Sequence, residues 1–504
     1  MTTATAPQLH PDVRRFLERP LHKLLIGGQW TPAASGKTFK TTNPATSEVL
    51  GAVAEADKAD VDLAVKAARA AFEGPWSKVT PSERGKLLNR LADLVEAHAD
   101  ELAQLESLDN GKIIGEALKG DVPLSADLLR YFAGWTTKIS GETTPVSVPY
   151  YPGAKFLHYT VREAIGVVGA IIPWNFPLLM AVERLAPALA CGNVVVLKPA
   201  EQTTLSALRL GELILEAGIP AGVVNILPGF GPTAGAALAA HMDVDKVTFT
   251  GSTETGREVV RASAGNLKKV SLELGGKSPN IVFEDADLDA AAKGMFMGIF
   301  YNQGQTCSAG SRVFVHKSKF DGLVGALAER AKKIRQGPGI DPNSRMGPLV
   351  SEAQMKRVLS YIESGKKEGA KLLAGGERAG GPLANGWFVQ PTVFSEVKDS
   401  MRIAQEEIFG PVVAVMPFED EAEVLSRANA TPYGLVAGVW TKDMKKAFRM
   451  AQGLKAGVVW LNCYQFVDAA APWGGVKQSG YGREKGPHAI EGYTQVKSVW
   501  VDLN

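Results

Sequence analysis

Polar and apolar positions divide the chain into two regimes that meet near residue 165. Upstream, apolar residues recur at helical spacing. Within 81–108, Leu87, Leu88, Leu91, Leu94 and Val95 share a face, and 58–73 carries a second amphipathic pattern. Thr80-Pro81-Ser82-Glu83 opens the longer segment with a capping threonine, a proline suited to a first turn and an early glutamate. The first 20 or so residues carry no such pattern and read as a loose arm. From 165 onward, short β-branched runs alternate with helical segments. Strands are predicted at 165–172, 194–197, 223–227, 247–250 and 270–274, with helices at 178–190, 203–217, 232–240 and 254–263 between them. That alternation predicts an α/β fold with a parallel, doubly wound sheet covered on both faces. A second series follows, with strands near 280–283, 311–315, 392–394, 412–416, 436–440 and 457–461. Its helices are predicted at 287–300, 318–334, 352–368, 419–428 and 443–452. There is no internal repeat. Gly275-Gly276 and Pro279 mark a boundary between the two series.

Composition adds exclusions. A chain of 504 residues exceeds what one core serves, so two or three substructures are expected. The 55 basic and 53 acidic residues leave a net charge of +2 with no basic run, which offers nothing to nucleic acid or an anionic membrane. The uncharged run 165–182 has membrane-span length, but Pro173, Asn175 and Pro177 interrupt it, so it reads as strand, turn and helix. Met1 to His10 has neither a charged nor an apolar leader region and does not read as a secretory signal. Three cysteines, Cys191, Cys307 and Cys463, form no C-x-x-C pair and lie near no histidine cluster. No metal site and no disulfide framework is expected, and a reducing, cytoplasmic setting fits. Cys191 at an apolar helix end and Cys463 after a buried strand read as structural.

Five segments carry candidate chemistry. In Gly304-Gln305-Thr306-Cys307-Ser308, small and flexible neighbours leave the thiol approachable, as a nucleophile needs; packing is the competing reading. In Leu272-Glu273-Leu274-Gly275, a glutamate between leucines at a strand end is a desolvated carboxylate, which makes a stronger base; a strand-end ion pair is the alternative. Asn175, in Pro173-Trp174-Asn175-Phe176-Pro177, offers an uncharged N–H to an oxyanion at the carboxyl end of a strand, or is a turn residue. Lys198 and Glu201 follow the second strand, where an acidic group accepts from an adenosine ribose and repels a 2′-phosphate; surface charge is the competing reading. Phe249-Thr250-Gly251-Ser252 runs from strand into helix and admits a phosphate. The Gly229–Gly235 stretch resembles a dinucleotide fingerprint but has one residue too many, and reads as a helix-start turn.

Together these segments resemble the aldehyde dehydrogenase superfamily from about residue 22 to 500. The pieces stand in family order: Pro-Trp-Asn-Phe-Pro at 173–177, Lys-Pro-Ala-Glu at 198–201, Phe-Thr-Gly-Ser at 249–252, Glu-Leu-Gly-Gly-Lys-Ser at 273–278 and Gly-Gln-Thr-Cys at 304–307. Glu-Glu-Ile-Phe-Gly-Pro at 406–411 and Pro-Trp-Gly-Gly-Val-Lys-Gln-Ser-Gly at 472–480 complete the set. The resemblance implies NAD-dependent oxidation of an aldehyde to a carboxylic acid. Cys307 would attack the carbonyl, Asn175 would hold the oxyanion, and Glu273 would activate the water that hydrolyses a thioester. It implies NAD contacts at Ile171, Pro173, Trp174, Lys198, Glu201, Gly231, Phe249, Gly251, Ser252, Gly256, Leu274, Glu407 and Phe409. It also implies a Rossmann-type NAD-binding domain (1–143 and 164–275), an α/β catalytic domain (276–480) and a β-arm (144–163 and 487–504). Through that arm a homodimer or homotetramer would form.

The same resemblance places an aldehyde tunnel along Leu124, Phe176, Leu179, Met180, Glu183, Tyr301, Thr306, Ser308, Phe466 and Val467. Most of these suit an organic aldehyde. The sequence is closest in flavour to bacterial relatives that oxidise aromatic aldehydes such as phenylacetaldehyde. Glu183 departs from the aromatic residue usual at that position, and Val467 from a phenylalanine. A carboxylate in the tunnel suits a cationic or hydroxylated aldehyde, betaine aldehyde for example. The preferred expectation is that Glu183 turns away to pair with a neighbouring Arg or Lys, because an unpaired buried carboxylate is costly. A CoA-acylating relative and a non-catalytic structural relative are the alternative classes; the retained Glu273 and Cys307 argue against them.

Overall fold

A computed structural model describes residues 9–504. The reading of residues 1–8 as arm and not leader lies outside them. The remainder of the expected arm is not loose: Pro11–Leu17 is a helix, started by proline and capped by the His10 ring, with Val13 and Phe16 buried. Seven residues are too few for a periodic pattern to declare itself. The expected helix 58–73 forms as Lys58–Glu73. The expected helix 81–108 divides into Pro81–Ala97 and Ala99–Asn110 at His98, whose backbone leaves the helical region while its ring meets Glu101 at 2.9 Å. Thr80 and Glu83 cap the first half reciprocally.

The doubly wound sheet has five parallel strands in the order Lys269–Glu273, Lys246–Thr250, Val167–Ile171, Val194–Lys198 and Val224–Ile226. The central strands are buried end to end, as strands covered by helices on both faces must be. Short antiparallel strands extend both edges: Gly480–Tyr481 on one side, Leu24–Ile26 and Gln29–Thr31 on the other. The predicted strand 165–172 begins two residues late, at Val167. Gly166, at φ +133°, breaks it from the preceding Phe156–Ala164, and a Cβ there would strike the Asp245 carboxylate at 2.1 Å.

A second, seven-stranded sheet runs Lys371–Ala374, Thr392–Ser395, Val412–Phe418, Arg312–His316, Pro279–Val282, Val436–Trp440, Val458–Leu461. It is parallel except for Lys371–Ala374, an antiparallel edge that sequence reading missed because Lys-Leu-Leu-Ala has neither β-branched residues nor alternation. Separate apolar clusters fill its two faces, and a third, larger cluster packs the first sheet. Thr494–Asp502 pairs in register with Phe156–Ala164 as a two-stranded ribbon outside both sheets. Among the described residues no helix is long and apolar enough to cross a membrane.

Candidate active site

Register in the first sheet brings the candidate residues to one edge. Ile171 lies beside both Lys198 and Phe249, and Thr250 lies beside Glu273. These are carboxyl ends of parallel strands, where the helices that follow present their N-termini. Pro173-Trp174-Asn175, Glu201, Gly251-Ser252 and Glu273-Leu274-Gly275 therefore emerge side by side.

Cys307 reaches the same place from the second sheet's side. Before it the chain takes three successive left-handed residues, Asn302 (φ +45°), Gln303 (φ +56°) and Gly304 (φ +71°). Only glycine serves at 304, because a Cβ there would meet the Gly410 carbonyl at 2.2 Å. Side chains hold the turn: Asn302 Nδ2 donates to the Asn175 carbonyl at 2.8 Å, and the Val350 amide donates to Gln305 Oε1 at 3.0 Å. Asn175 in turn donates one Nδ2 hydrogen to the Gln305 carbonyl at 3.0 Å, which orients the amide and leaves its second N–H uncommitted. Among the described residues the Cys307 N–H meets no acceptor. The Asn175 loop is braced from below. Asn110 Nδ2 donates to the Trp174 carbonyl at 2.7 Å, and Lys112, buried between Glu106 and Asp121, sits 4.3 Å above the Phe176 ring.

Glu273 ends its strand buried, and neither carboxylate oxygen has a hydrogen-bond partner. Burial, reinforced by the Glu484 carboxylate, raises its pKa well above the usual range; Arg184 opposes this. Gly474 makes room for it, since a Cβ there would stand 2.8 Å from Glu273 Oε1. Burial likewise pushes the Cys307 thiol up to about 12, with the charges of Glu273, Glu407 and Glu183 adding to it and Lys485 pulling the other way. The resting pair is thus a protonated thiol beside a carboxyl group that holds its proton readily.

One cavity of about 1070 Å³ joins Cys307, Glu273 and Asn175. Of the expected tunnel residues, Leu124, Phe176, Leu179, Met180, Glu183, Tyr301, Ser308, Phe466 and Val467 line it. Phe466 and Val467 are exposed, and Tyr301 and Phe176 stack at 6.1 Å. Thr306 is a correction: it is buried behind the wall. Gln465 Nε2 approaches its hydroxyl, while Gln465 Oε1 accepts from Ser308 Oγ at 2.7 Å. Glu183 is half a correction. It pairs with Lys485 at 3.1 Å and Arg184 at 3.5 Å, as expected, yet it stays on the cavity wall. Cys463, read as structural, also faces the cavity, whereas Cys191 is buried.

The cavity continues past Pro173, Trp174, Gly251, Ser252, Leu274, Glu407 and Phe409. Ile171, Lys198, Glu201, Gly231, Phe249 and Gly256 lie off its wall. Lys198 and Glu201 form an ion pair at 3.1 Å, and Gly231 opens the turn that precedes the helix Ala236–Ala240. This extension fits NAD. The Gly276 amide donates to Glu407 Oε1 at 2.9 Å, so the carboxylate is fixed at the wall, an acceptor of the kind a ribose diol would use. A Cβ on Gly275 would crowd that carboxylate at 2.5 Å. Phe409, at φ +60°, meets Trp174 edge to face at 5.1 Å and closes the adjacent wall.

The aldehyde dehydrogenase family model matches residues 30–499. The chain belongs to the aldehyde dehydrogenase family. It is similar to aldehyde dehydrogenase 1A1 of Gallus gallus, at 53% identity over 98% of this chain and 96% of the relative. It superposes on the NAD+ complex of an aldehyde dehydrogenase from Bacillus cereus with a TM-score of 0.96 and 55% identity, covering 99% of this chain and 100% of the other. An indole-3-acetaldehyde dehydrogenase of P. syringae, solved with NAD+ and IAA, matches at TM-score 0.93 and 46% identity over 97% and 98% of the two chains. This aldehyde dehydrogenase is accordingly an NAD-dependent enzyme acting on small molecules.

Sequence reading missed Arg184, Glu484 and Lys485. Arg184 is 1% exposed, pairs with Glu484 at 3.1 Å and reaches the Thr250 hydroxyl. The only signal was a charged pair, Glu183-Arg184, inside an otherwise apolar helix.

Proposed function

We propose that this aldehyde dehydrogenase oxidises an aromatic or broad-range aldehyde to its carboxylic acid, with Cys307 as nucleophile and Glu273 as base for hydrolysis. The observation that carries this reading is that Cys307, the unpartnered Glu273 carboxylate and the free N–H of Asn175 face one cavity. Cys307 Sγ adds to the carbonyl carbon, and its proton leaves for Glu273 or water. The Asn175 amide and the Cys307 N–H hold the oxyanion. Glu407, Gly251 and Ser252 would hold NAD, which would supply a hydride acceptor; loss of hydride from the thiohemiacetal leaves a thioester on Cys307. Glu273 then takes a proton from water as the water attacks the thioester. A largely apolar and aromatic wall supports an organic, aromatic or broad-range substrate, as does the likeness to an indole-3-acetaldehyde dehydrogenase. A cationic aldehyde is less well served, because Lys485 and Arg184 already neutralise Glu183.

The reading is tested by incubating the enzyme with NAD and aromatic or aliphatic aldehydes without CoA. NADH and free acid should appear in equal amounts. A strict requirement for CoA would assign it to the acylating class. Cofactor choice gives a second expected result. If the Lys198–Glu201 pair borders the adenosine ribose, as the family resemblance implies, Glu201 would repel a 2′-phosphate, and Glu201→Ser should shift the NADP/NAD ratio of kcat/KM toward NADP by about tenfold or more. An unchanged ratio would remove Glu201 from that role. Three unpaired cysteines support a reducing, cytoplasmic setting. The Phe156–Ala164 and Thr494–Asp502 ribbon leaves Val496, Trp500 and Val501 exposed, which supports assembly through the arm into a dimer or a dimer of dimers.

A further inference from the structure

The feature that the proposed chemistry leaves unused is the buried ion pair of Glu183 and Lys485 on the wall of the catalytic cavity. Glu183 comes from the helix Pro177–Ala190, and Lys485 from the turn after the bridge between Trp473 and Glu484. The ammonium lies 3.1 Å from Glu183 Oε1 and 5.1 Å from the Trp473 ring centre. Both side chains are at least 95% buried. Their bonding capacity is far from spent. Lys485 carries three donors, and among the described residues Glu183 is its only polar contact. Glu183 Oε1 has no hydrogen bond of good geometry, and Oε2 has only the distant Arg184 contact at 3.5 Å. An acceptor-rich and a donor-rich group thus stand side by side on the wall that also carries Cys307 and Glu273.

We infer that Glu183 and Lys485 are specificity-determining residues that recognise a hydroxyl group on the aldehyde. The inference rests on the aldehyde-oxidising reading of this cavity and narrows its substrate class. A hydroxyl is the group that answers both partners at once, because it donates to Glu183 and accepts from Lys485. An ammonium on the substrate would satisfy the carboxylate but face Lys485 and Arg184; a carboxylate would satisfy the lysine but face Glu183. An apolar group in the same place would leave the remaining donors of Lys485 and acceptors of Glu183 desolvated without a hydrogen-bond partner. The pair therefore favours a neutral, hydroxylated aldehyde over its deoxy counterpart and over either charged analogue.

The test is a panel of matched aldehydes differing by one hydroxyl: glycolaldehyde against acetaldehyde, 2-hydroxypropanal against propanal, 4-hydroxybutanal against butanal, and 4-hydroxyphenylacetaldehyde against phenylacetaldehyde. In the wild-type enzyme at least one hydroxylated member should exceed its partner in kcat/KM by about tenfold or more. In the double variant Glu183→Leu with Lys485→Met, which leaves no lone charge between them, that ratio should fall to near one. Wild-type ratios within about twofold of one throughout the panel would overturn the proposal, as would a preference that survives in the double variant. The wild-type ratios decide on their own where the double variant does not fold. NADH production from the deoxy aldehydes with no hydroxyl preference would sink this inference alone. No NADH from any aldehyde would sink the oxidising reading beneath it.

Discussion

Cys307→Ala should reduce kcat/KM for aldehyde oxidation by about ten-thousand-fold or more while leaving NAD binding intact, because it removes the nucleophile proposed to hold the acyl fragment. Isothermal titration with NAD supplies the control, since the residues proposed for the cofactor lie on other segments. Retention of more than about one per cent of wild-type activity would assign the nucleophile elsewhere, and Cys463, which also faces the cavity, would be the next candidate. The thiol should also declare itself through pH. Burial and three nearby carboxylates push it up to about 12, so the raised value keeps it protonated at neutral pH. Its thiolate fraction then grows about tenfold per unit on the approach to that value. Iodoacetamide labelling of the Cys307 peptide in the cofactor-free enzyme, followed by mass spectrometry from pH 7 to 10, should rise with that slope. A rate flat over this range would mean an already ionised thiol. Cys191, pushed equally high but buried in the core, serves as the unreactive reference.

Much of this site was legible because its pieces are local. Glu273, Asn175 and Cys307 each sit in a short segment whose glycines, prolines and small residues exist for one backbone task, and the sheet's register does the rest. Gly304 shows the link: its left-handed backbone against the Gly410 carbonyl admits no side chain. The parallel sheet was equally legible, because strands buried on both faces read as continuous β-branched runs. What escaped was long-range or marginal. Lys485 lies in a surface-looking stretch, Gly-Arg-Glu-Lys-Gly, and only folding brings it against Glu183 far upstream. A carboxylate in a tunnel and a lysine in a loop are each uninformative until they meet. Thr306 was expected on the tunnel from the family resemblance alone, which does not decide which way a side chain turns; here it is buried, with Gln465 Nε2 near its hydroxyl. The edge strands Gly480–Tyr481 and Leu24–Ile26 are too short for alternation to register.

The second large effect belongs to Glu273. Glu273→Gln keeps the shape of the side chain and removes the base, so acylation and hydrolysis should separate. A rapid-mixing experiment should show NADH released in a burst of about one equivalent per active site, followed by steady-state turnover lowered by about 100- to 10,000-fold. Hydroxylamine, which attacks a thioester without a base, should restore much of that turnover. The electrostatics favour survival of the burst. Among the neighbouring carboxylates Glu273 raises the Cys307 thiol most, so wherever Glu273 is ionised its removal makes the thiolate easier to form. In the wild type the pH dependence should follow the sign of the Glu273 shift. A buried carboxyl whose value is raised holds its proton to higher pH, and only the deprotonated form can accept one from water. The hydrolytic rate should therefore climb with pH through the range in which Glu273 ionises, and the Gln variant should lose that limb. Loss of the burst together with turnover would show that Glu273 acts first on the Cys307 thiol. Full turnover in the variant would free Glu273 of any role as base and leave the thioester to another group.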